Sequence, residues 1–302
     1  DALPIFQIAY RLLNISGEVI TTPFSFVATT SSLVTNGLKP IFADIDPNSF
    51  NIDPRKIEEQ ITDKTSAIVP VHVFGNPCDV EAIQSSANKH DLKIVYDAAH
   101  AFGTQYKGQS VLNYGDISTL SFHATKLFHT IEGGAVITNN DELAKRTRLL
   151  INFGITGPTS IESIGINAKM NEFEAAMGLC VLDDVEHIKE KRKKIYEKYL
   201  SELKGRVGFQ KKNENATQNH SYFSILLKDE EQTLLVKKGL NDINVYPRRY
   251  FYTSLDTLNY IEPKQSAPVS RDISSRILCL PIFPELEEKD QSIIINVIKN
   301  II

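Results

Sequence analysis

The 302-residue chain carries 33 lysines and arginines against 37 aspartates and glutamates, a formal net charge of -4. That balance supplies no basic face for neutralising phosphates, so a nucleic-acid partner is not indicated. With 42% hydrophobic and 23% charged residues and no apolar run long enough to span a bilayer, the chain reads as an ordinary globular protein with no membrane partner.

Short runs rich in Val, Ile and Phe alternate with helical patterns through the first half, which predicts α/β architecture around a mainly parallel sheet. In chain order the expected elements are a strand at Glu18–Thr21, a helix at Phe26–Asn36, a strand at Pro40–Asp44, a helix at Pro54–Gln60, a strand at Thr65–Val71 and a helix at Val80–His90. Strands at Lys93–Tyr96, Ile117–Ser121 and Gly134–Thr138 follow, with a helix at Asp141–Asn152. A periodic segment from about Asn171 to Lys204 predicts one or two helices. Lysines and arginines between His187 and Arg206 are interleaved with Glu190, Glu197 and Glu202, the pattern of a solvated helix face. Beyond it come a strand near Ser221–Leu227, a helix near Glu231–Leu240, a Pro- and aromatic-rich stretch from Tyr246, and a final amphipathic helix from Glu287. The expected organisation is a large α/β unit over residues 1–185 and a linker helix with a smaller α+β unit over residues 186–302.

Cys78, Cys180 and Cys279 are far apart and lack CxxC spacing, which suggests neither a disulfide framework nor a metal site and fits a reducing cytoplasm. The opening DALPIFQIAYRLL has no basic region before an apolar core and so does not read as a signal peptide.

Two motifs carry chemistry. In SFHATKLFHTIEGGAV, Ser121 to Val136, a strand ends in small and polar residues, then Lys126, then Glu-Gly-Gly before another strand. Loops at the carboxyl ends of parallel strands converge on ligands, and a partly desolvated amine placed there can lose its proton and attack an aldehyde, forming a Schiff base. In YDAAHAFG, Tyr96 to Gly103, Asp97 closes a hydrophobic strand, a costly place for a carboxylate without a partner. Such a group suits the ring nitrogen of pyridoxal phosphate; capping the next helix is its alternative role. Upstream, TTPFSF places hydroxyls and an aromatic ring near a helix start, although composition alone assigns both Phe24 and Phe26 to the core.

The motifs TTPFSFVAT, PIFADID, YDAAHAFG, SFHATK with EGGAV, and GINAKMNEFEAAMGL, in this order and followed by ILCLPIFPEL, resemble the DegT-type nucleotide-sugar aminotransferases of the fold-type I pyridoxal-phosphate superfamily. Within that family the nearest texture is that of the dTDP-4-amino-4,6-dideoxyglucose aminotransferases. The resemblance implies a fold-type I architecture, pyridoxal 5'-phosphate as cofactor, glutamate and a nucleotide-linked keto-sugar as substrates, and a homodimer with shared active sites. It implies that Lys126 bonds the cofactor, that Asp97 partners its ring nitrogen, that Phe26 (Phe24 as second choice) stacks on the ring, and that Ser121 binds the phosphate. His100 falls beside the cofactor's ring oxygen, and a histidine there, rather than glutamine, points through the resemblance to amination at C4. Asn167 matches a residue reaching the phosphate from the neighbouring subunit, with Lys169 sharing that task or meeting substrate. Arg248, Arg249 and Tyr250, in RRYFYTSL, are the candidate substrate-side residues, the arginines suited to a diphosphate. Family members carry a longer leader ending in a Gly-Thr-x-Ala-Leu turn that cradles the phosphate; Asp1 and Ala2 align within it, so the sequence is expected to begin inside that turn. Left open are a C3-aminating or keto-cyclitol enzyme of the same family and a catalytically silent cofactor-binding regulator. A related dehydratase is disfavoured by Lys126, where that branch has histidine.

Overall fold

The computed structural model describes residues 2–302, with the side chains from Leu3 onward; Asp1 therefore lies outside the described residues, as does the Ala2 side chain. Helix α1 (Ala2–Leu12) leads into β1 (Glu18–Thr21), α2 (Val27–Thr35), β2 (Lys39–Phe42), α3 (Pro54–Gln60), β3 (Thr65–Val69), α4 (Val80–His90) and β4 (Lys93–Asp97). A small hairpin, β5 (Gln105–Tyr106) and β6 (Gln109–Ser110), precedes β7 (Ile117–Ser121), β8 (Gly134–Ile137) and α5 (Asp141–Leu150). A second hairpin, β9 (Ile155–Gly157) and β10 (Ser160–Ile161), leads into α6 (Glu172–Leu203), a single helix rather than two. The chain ends with β11 (Phe223–Leu226), α7 (Glu230–Asn241), α8 (Pro268–Arg276), β12 (Ile277–Leu280) and α9 (Glu288–Ile301).

Six strands form one sheet in the order β2-β1-β3-β4-β7-β8, parallel except for β8, which runs antiparallel to β7. Side chains alternate across a strand, and both faces of this sheet are covered. Ile20, Ile68 and Ile94 pack on one side with Ile57 of α3 and Ile83 of α4. Val19, Ala67, Val69, Val95 and Ile117 pack on the other with Phe6 and Tyr10 of α1 and Leu33 of α2. This double burial explains the apolar centres of β1, β3 and β4, Val19–Ile20, Ala67–Val69 and Ile94–Val95.

Helix starts are set locally. Asp53, Asp79 and Asn171 accept hydrogen bonds from Arg55, Ala82 and Glu174 backbone N–H groups, which otherwise have no intrahelical acceptor. Thirty-two residues of α6 span about 48 Å at helical rise. Near its start, Gly178 lies so close to the loop after Lys126 that a Cβ would come within 2.8 Å of the Thr130 methyl. Its far half buries Ile195, Tyr199 and Leu203 in a separate apolar cluster with Phe223, Ile225, Val236, Leu278, Ile294 and Ile298. That cluster is built on the antiparallel β11–β12 pair.

Candidate active site

The chain runs from β1 outward to the edge strand β2, and from β3 the other way to β4, so the connections after β1 and β3 leave in opposite directions. A crevice opens outside the carboxyl ends of strands at such a reversal. Here it is a cavity of about 830 Å³ lined by the first turn of α1 (Leu3, Ile5, Phe6), the loop after β1 with the start of α2 (Ser25 to Thr29), the loop after β4, and the loop after β7.

Asp97 ends β4 and is buried, with 6% of its surface exposed. Its Oδ2 accepts from the Thr29 hydroxyl at 2.7 Å and its Oδ1 from the Ala99 backbone N–H at 3.1 Å. Burial pushes its carboxyl above the ordinary range, while these two donors and the Lys126 ammonium oppose that shift. Lys126 is half-buried on the same cavity. Desolvation holds its ammonium below the usual lysine range, and Asp97 pulls the other way. The outcome is an amine nearer to its nucleophilic form, facing a carboxylate fixed at both oxygens.

His100 is buried, and desolvation drives its pKa well below that of a free imidazole. Its Nδ1 accepts from the Phe74 backbone N–H at 3.2 Å, which assigns the ring proton to Nε2. The ring is set by Tyr222, with centroids 4.5 Å apart, and by Phe251, parallel within 2°. His100 is thus a neutral Nε2–H donor on the cavity wall.

Phe26 lines the cavity with 55% of its surface exposed, against the core position that composition suggests. Phe24 is the core residue, enclosed edge-on by Phe50, Phe74 and Phe251, and is absent from the lining. The difference follows from chain direction: Phe26 is the residue before the first turn of α2, where the chain has already left the sheet's buried layer. Ser121, the last residue of β7, lines the same wall.

The remaining sequence candidates separate. Arg248 and Tyr250 line the cavity and also an adjoining groove of about 460 Å³. Arg249 reaches only that groove, and its guanidinium is engaged: Nη2 donates to Glu230 at 2.7 Å and to the Ser275 carbonyl at 2.8 Å, and the group lies 3.6 Å from the Tyr252 ring centre. Its expected place at the substrate is therefore corrected to a structural one. Asn167 and Lys169 are exposed, bonded to each other at 2.9 Å, and outside this chain's own cavity lining. Ala2 is the first residue of α1 among the described residues. Residues that the sequence did not single out also face the cavity: Thr29, Tyr222, and the trio His123, Thr125 and Glu132, in which His123 Nε2 lies 3.5 Å from Glu132. The hydroxyl-rich TTPFSFVAT run was the available signal for Thr29; Tyr222, far away in sequence, had none.

An amine depressed toward neutrality, a buried carboxylate, a strand-end hydroxyl and an exposed aromatic ring in one crevice fit pyridoxal phosphate, supplying a nucleophile for its aldehyde, an acceptor for its ring N–H, a phosphate donor and a cover for its face. The comparisons agree. The model of the DegT/DnrJ/EryC1/StrS aminotransferase family matches residues 5–299. The chain belongs to this family. A dTDP-4-amino-4,6-dideoxy-D-glucose transaminase of Shigella dysenteriae is 44% identical over 97% of this chain and 82% of its own length. An Escherichia coli protein of the same name is 41% identical over 93% and 78%. Among solved structures, DesI with its TDP-sugar product superimposes with a TM-score of 0.93 at 33% identity, over 99% of this chain and 78% of that one. As an aminotransferase of this family, the enzyme uses pyridoxal phosphate.

Proposed function

We propose that this aminotransferase moves the amino group of glutamate to C4 of dTDP-4-keto-6-deoxyglucose, a nucleotide-linked keto-sugar, in the cytoplasmic synthesis of a deoxyaminosugar of the O-antigen type. The observation that carries the proposal is 44% identity, across almost the whole chain, to a transaminase named for dTDP-4-amino-4,6-dideoxyglucose. Bound pyridoxal phosphate supplies the electron sink that makes a proton on the amine-bearing carbon labile. Lys126, depressed by burial, is the residue to bond the cofactor and, once released, to carry that proton on Nζ. Asp97 keeps the ring nitrogen protonated, His100 donates Nε2–H to the ring oxygen, Phe26 covers the ring face, and Ser121 donates to the phosphate. Arg248 meets the substrate's diphosphate and Tyr250 packs beside it, in the smaller unit beginning near residue 186.

We read the working unit as a homodimer. Ile161, Ile164, Phe173 and Leu179 are 73%, 82%, 90% and 66% exposed. They flank Asn167 and Lys169 in sequence, and exposed apolar side chains of this size favour burial against a second copy, which would carry those two polar groups to the neighbouring cavity.

The direct test incubates the enzyme with glutamate and a panel of dTDP-, UDP- and GDP-linked 3-keto and 4-keto sugars, with products identified by mass spectrometry and NMR. A 4-amino product from the dTDP-4-keto sugar alone is expected. Preference for a 3-keto or a GDP-linked sugar would refute the substrate assignment while leaving the aminotransferase in place.

A further inference from the structure

Thr29 stands in the first turn of α2, four residues after Ser25, and both are buried, with 0% and 3% of their surfaces exposed. A helical threonine ordinarily turns its hydroxyl back to the carbonyl four residues before it. Thr29 does not: its Oγ1 donates to Asp97 Oδ2 at 2.7 Å and lies 2.8 Å from Ser25 Oγ. Proton counting then gives the contact between the two hydroxyls a direction. A threonine hydroxyl has one hydrogen, and with it committed to the carboxylate, Ser25 must be the donor to Thr29. The result is a chain of two aligned O–H groups, Ser25 to Thr29 to Asp97, ending on a negative charge. Each bond in such a chain polarises the next, so Ser25 strengthens the donor that Asp97 receives. Both residues also line the cavity.

The neighbours of Asp97 make this chain consequential. Thr29, the Ala99 N–H and the Lys126 ammonium are the groups that favour its charged form against burial. The Lys126 charge acts on it only while that nitrogen is protonated. The two fixed donors remain, and Ala99, being backbone, is beyond substitution.

We propose that Thr29, backed by Ser25, is a positioning residue that keeps the Asp97 carboxylate ionised and turned toward the ring nitrogen of pyridoxal phosphate. The inference rests on the assignment of Asp97 as the partner of that nitrogen.

The test is the dissociation constant of pyridoxal phosphate, measured by equilibrium dialysis of the full chain in a double-mutant cycle. Thr29→Val keeps the shape and deletes the hydroxyl; it is expected to weaken binding about tenfold or more, as for a lost hydrogen bond to a charged group. Thr29→Ser restores the donor and should return the constant to within about threefold, and Ser25→Ala should weaken binding by a smaller factor, about threefold. In an Asp97→Asn background, Thr29→Val should add less than about twofold, because the charge it serves is gone. The inference is overturned by Thr29→Val binding within about twofold of the parent, by Thr29→Ser being as weak as Thr29→Val, or by a Thr29→Val effect undiminished in the Asp97→Asn background. Where Thr29→Val does not fold, Ser25→Ala carries the cycle under the same criterion. An Asp97→Asn enzyme that binds the cofactor as the parent does would instead remove the Asp97 assignment itself, an outcome separate from failure at Thr29.

Discussion

Adjacent arginines, Arg248 and Arg249, should give opposite results when each is changed to alanine. Arg249 donates to the Glu230 carboxylate and the Ser275 carbonyl and stacks on Tyr252, with 13% of its side chain exposed. A hydrogen bond to a charged group contributes about 1.5–3 kcal/mol, and a partly desolvated cation on an aromatic ring contributes about 1 kcal/mol. Because the Glu230 side chain is 44% exposed, solvent screening reduces the ion-pair share toward the low end. Arg249→Ala should therefore destabilise the fold by about 2 kcal/mol, lowering Tm by on the order of 4 °C. Arg248 has an exposed side chain on the cavity wall, its guanidinium 5.7 Å from the Tyr250 ring centre. Arg248→Ala should leave Tm within about 1 °C, since exposed substitutions cost little, and raise the KM for the nucleotide sugar about tenfold or more through a lost charge-assisted contact. The assays are thermal unfolding with cofactor held saturating and steady-state kinetics with each substrate varied. A Tm unchanged in Arg249→Ala together with a raised sugar KM would show that Arg249 leaves Glu230 to meet substrate, and the assignment of the pair would be reversed.

Lys126→Ala should abolish the visible band of lysine-bound pyridoxal phosphate and its reducibility by borohydride; a full-strength reducible band in that variant would assign the wrong lysine. Chains carrying Lys126→Ala mixed with chains carrying Asn167→Ala should regain activity through hybrid dimers holding one complete site; subunit exchange confirmed by mass without any return of activity would refute cross-subunit completion. His72 is buried, stacked on Tyr96 at 4.6 Å, and held neutral with its pKa lowered to about 3 by burial. The unfolded chain takes up that proton below about pH 6.5 and the folded chain does not, so stability present above pH 6.5 is lost as pH falls toward 3, by about 1.4 kcal/mol per unit. Denaturant titrations between pH 7 and 5 should show that slope reduced by about one proton in His72→Gln, and an unchanged slope would place the titration elsewhere.

Where local physics decides, the sequence was readable. The helix at Pro54–Gln60 was legible to the residue because Asp53 caps it and Pro54 sits where its missing N–H has no cost. Strands β1 and β7 are buried along their whole length, and their bounds were legible even though Glu18 and Thr21 of β1 and Ser118, Thr119 and Ser121 of β7 are polar. Where distant groups decide, it was not. Helix α8 lies within the Pro- and aromatic-rich stretch from Tyr246, where no helix is expected from sequence, and its Val269 and Ser270 N–H groups donate to the two oxygens of Asp44, more than two hundred residues earlier. Helix α1 is not among the elements expected from sequence; its Pro4 lies in the first turn, where a missing N–H costs no intrahelical bond. The fate of Arg249 was equally invisible, because Glu230 and Ser275 come from α7 and α8 and no spacing rule links them to RRYFYTSL.

Part of the candidate site was legible for a related reason. Two of its groups break a rule that stability alone would keep, a carboxylate closing a buried strand and a partly desolvated lysine in a strand-end loop, whereas the exposure of Phe26, which composition assigns to the core, becomes visible only in the fold. Local exceptions of this kind stand out against an otherwise consistent pattern, and they persist only where something besides folding favours them. The same reasoning explains what was passed over. Thr29 breaks no rule in sequence, since a threonine at the start of a helix is commonplace, and its role becomes visible only when the fold brings Asp97, sixty-eight positions away, within 2.7 Å of its hydroxyl. Groups that perform chemistry are thus exposed by their cost, whereas groups that sustain them look ordinary until their partners are in place.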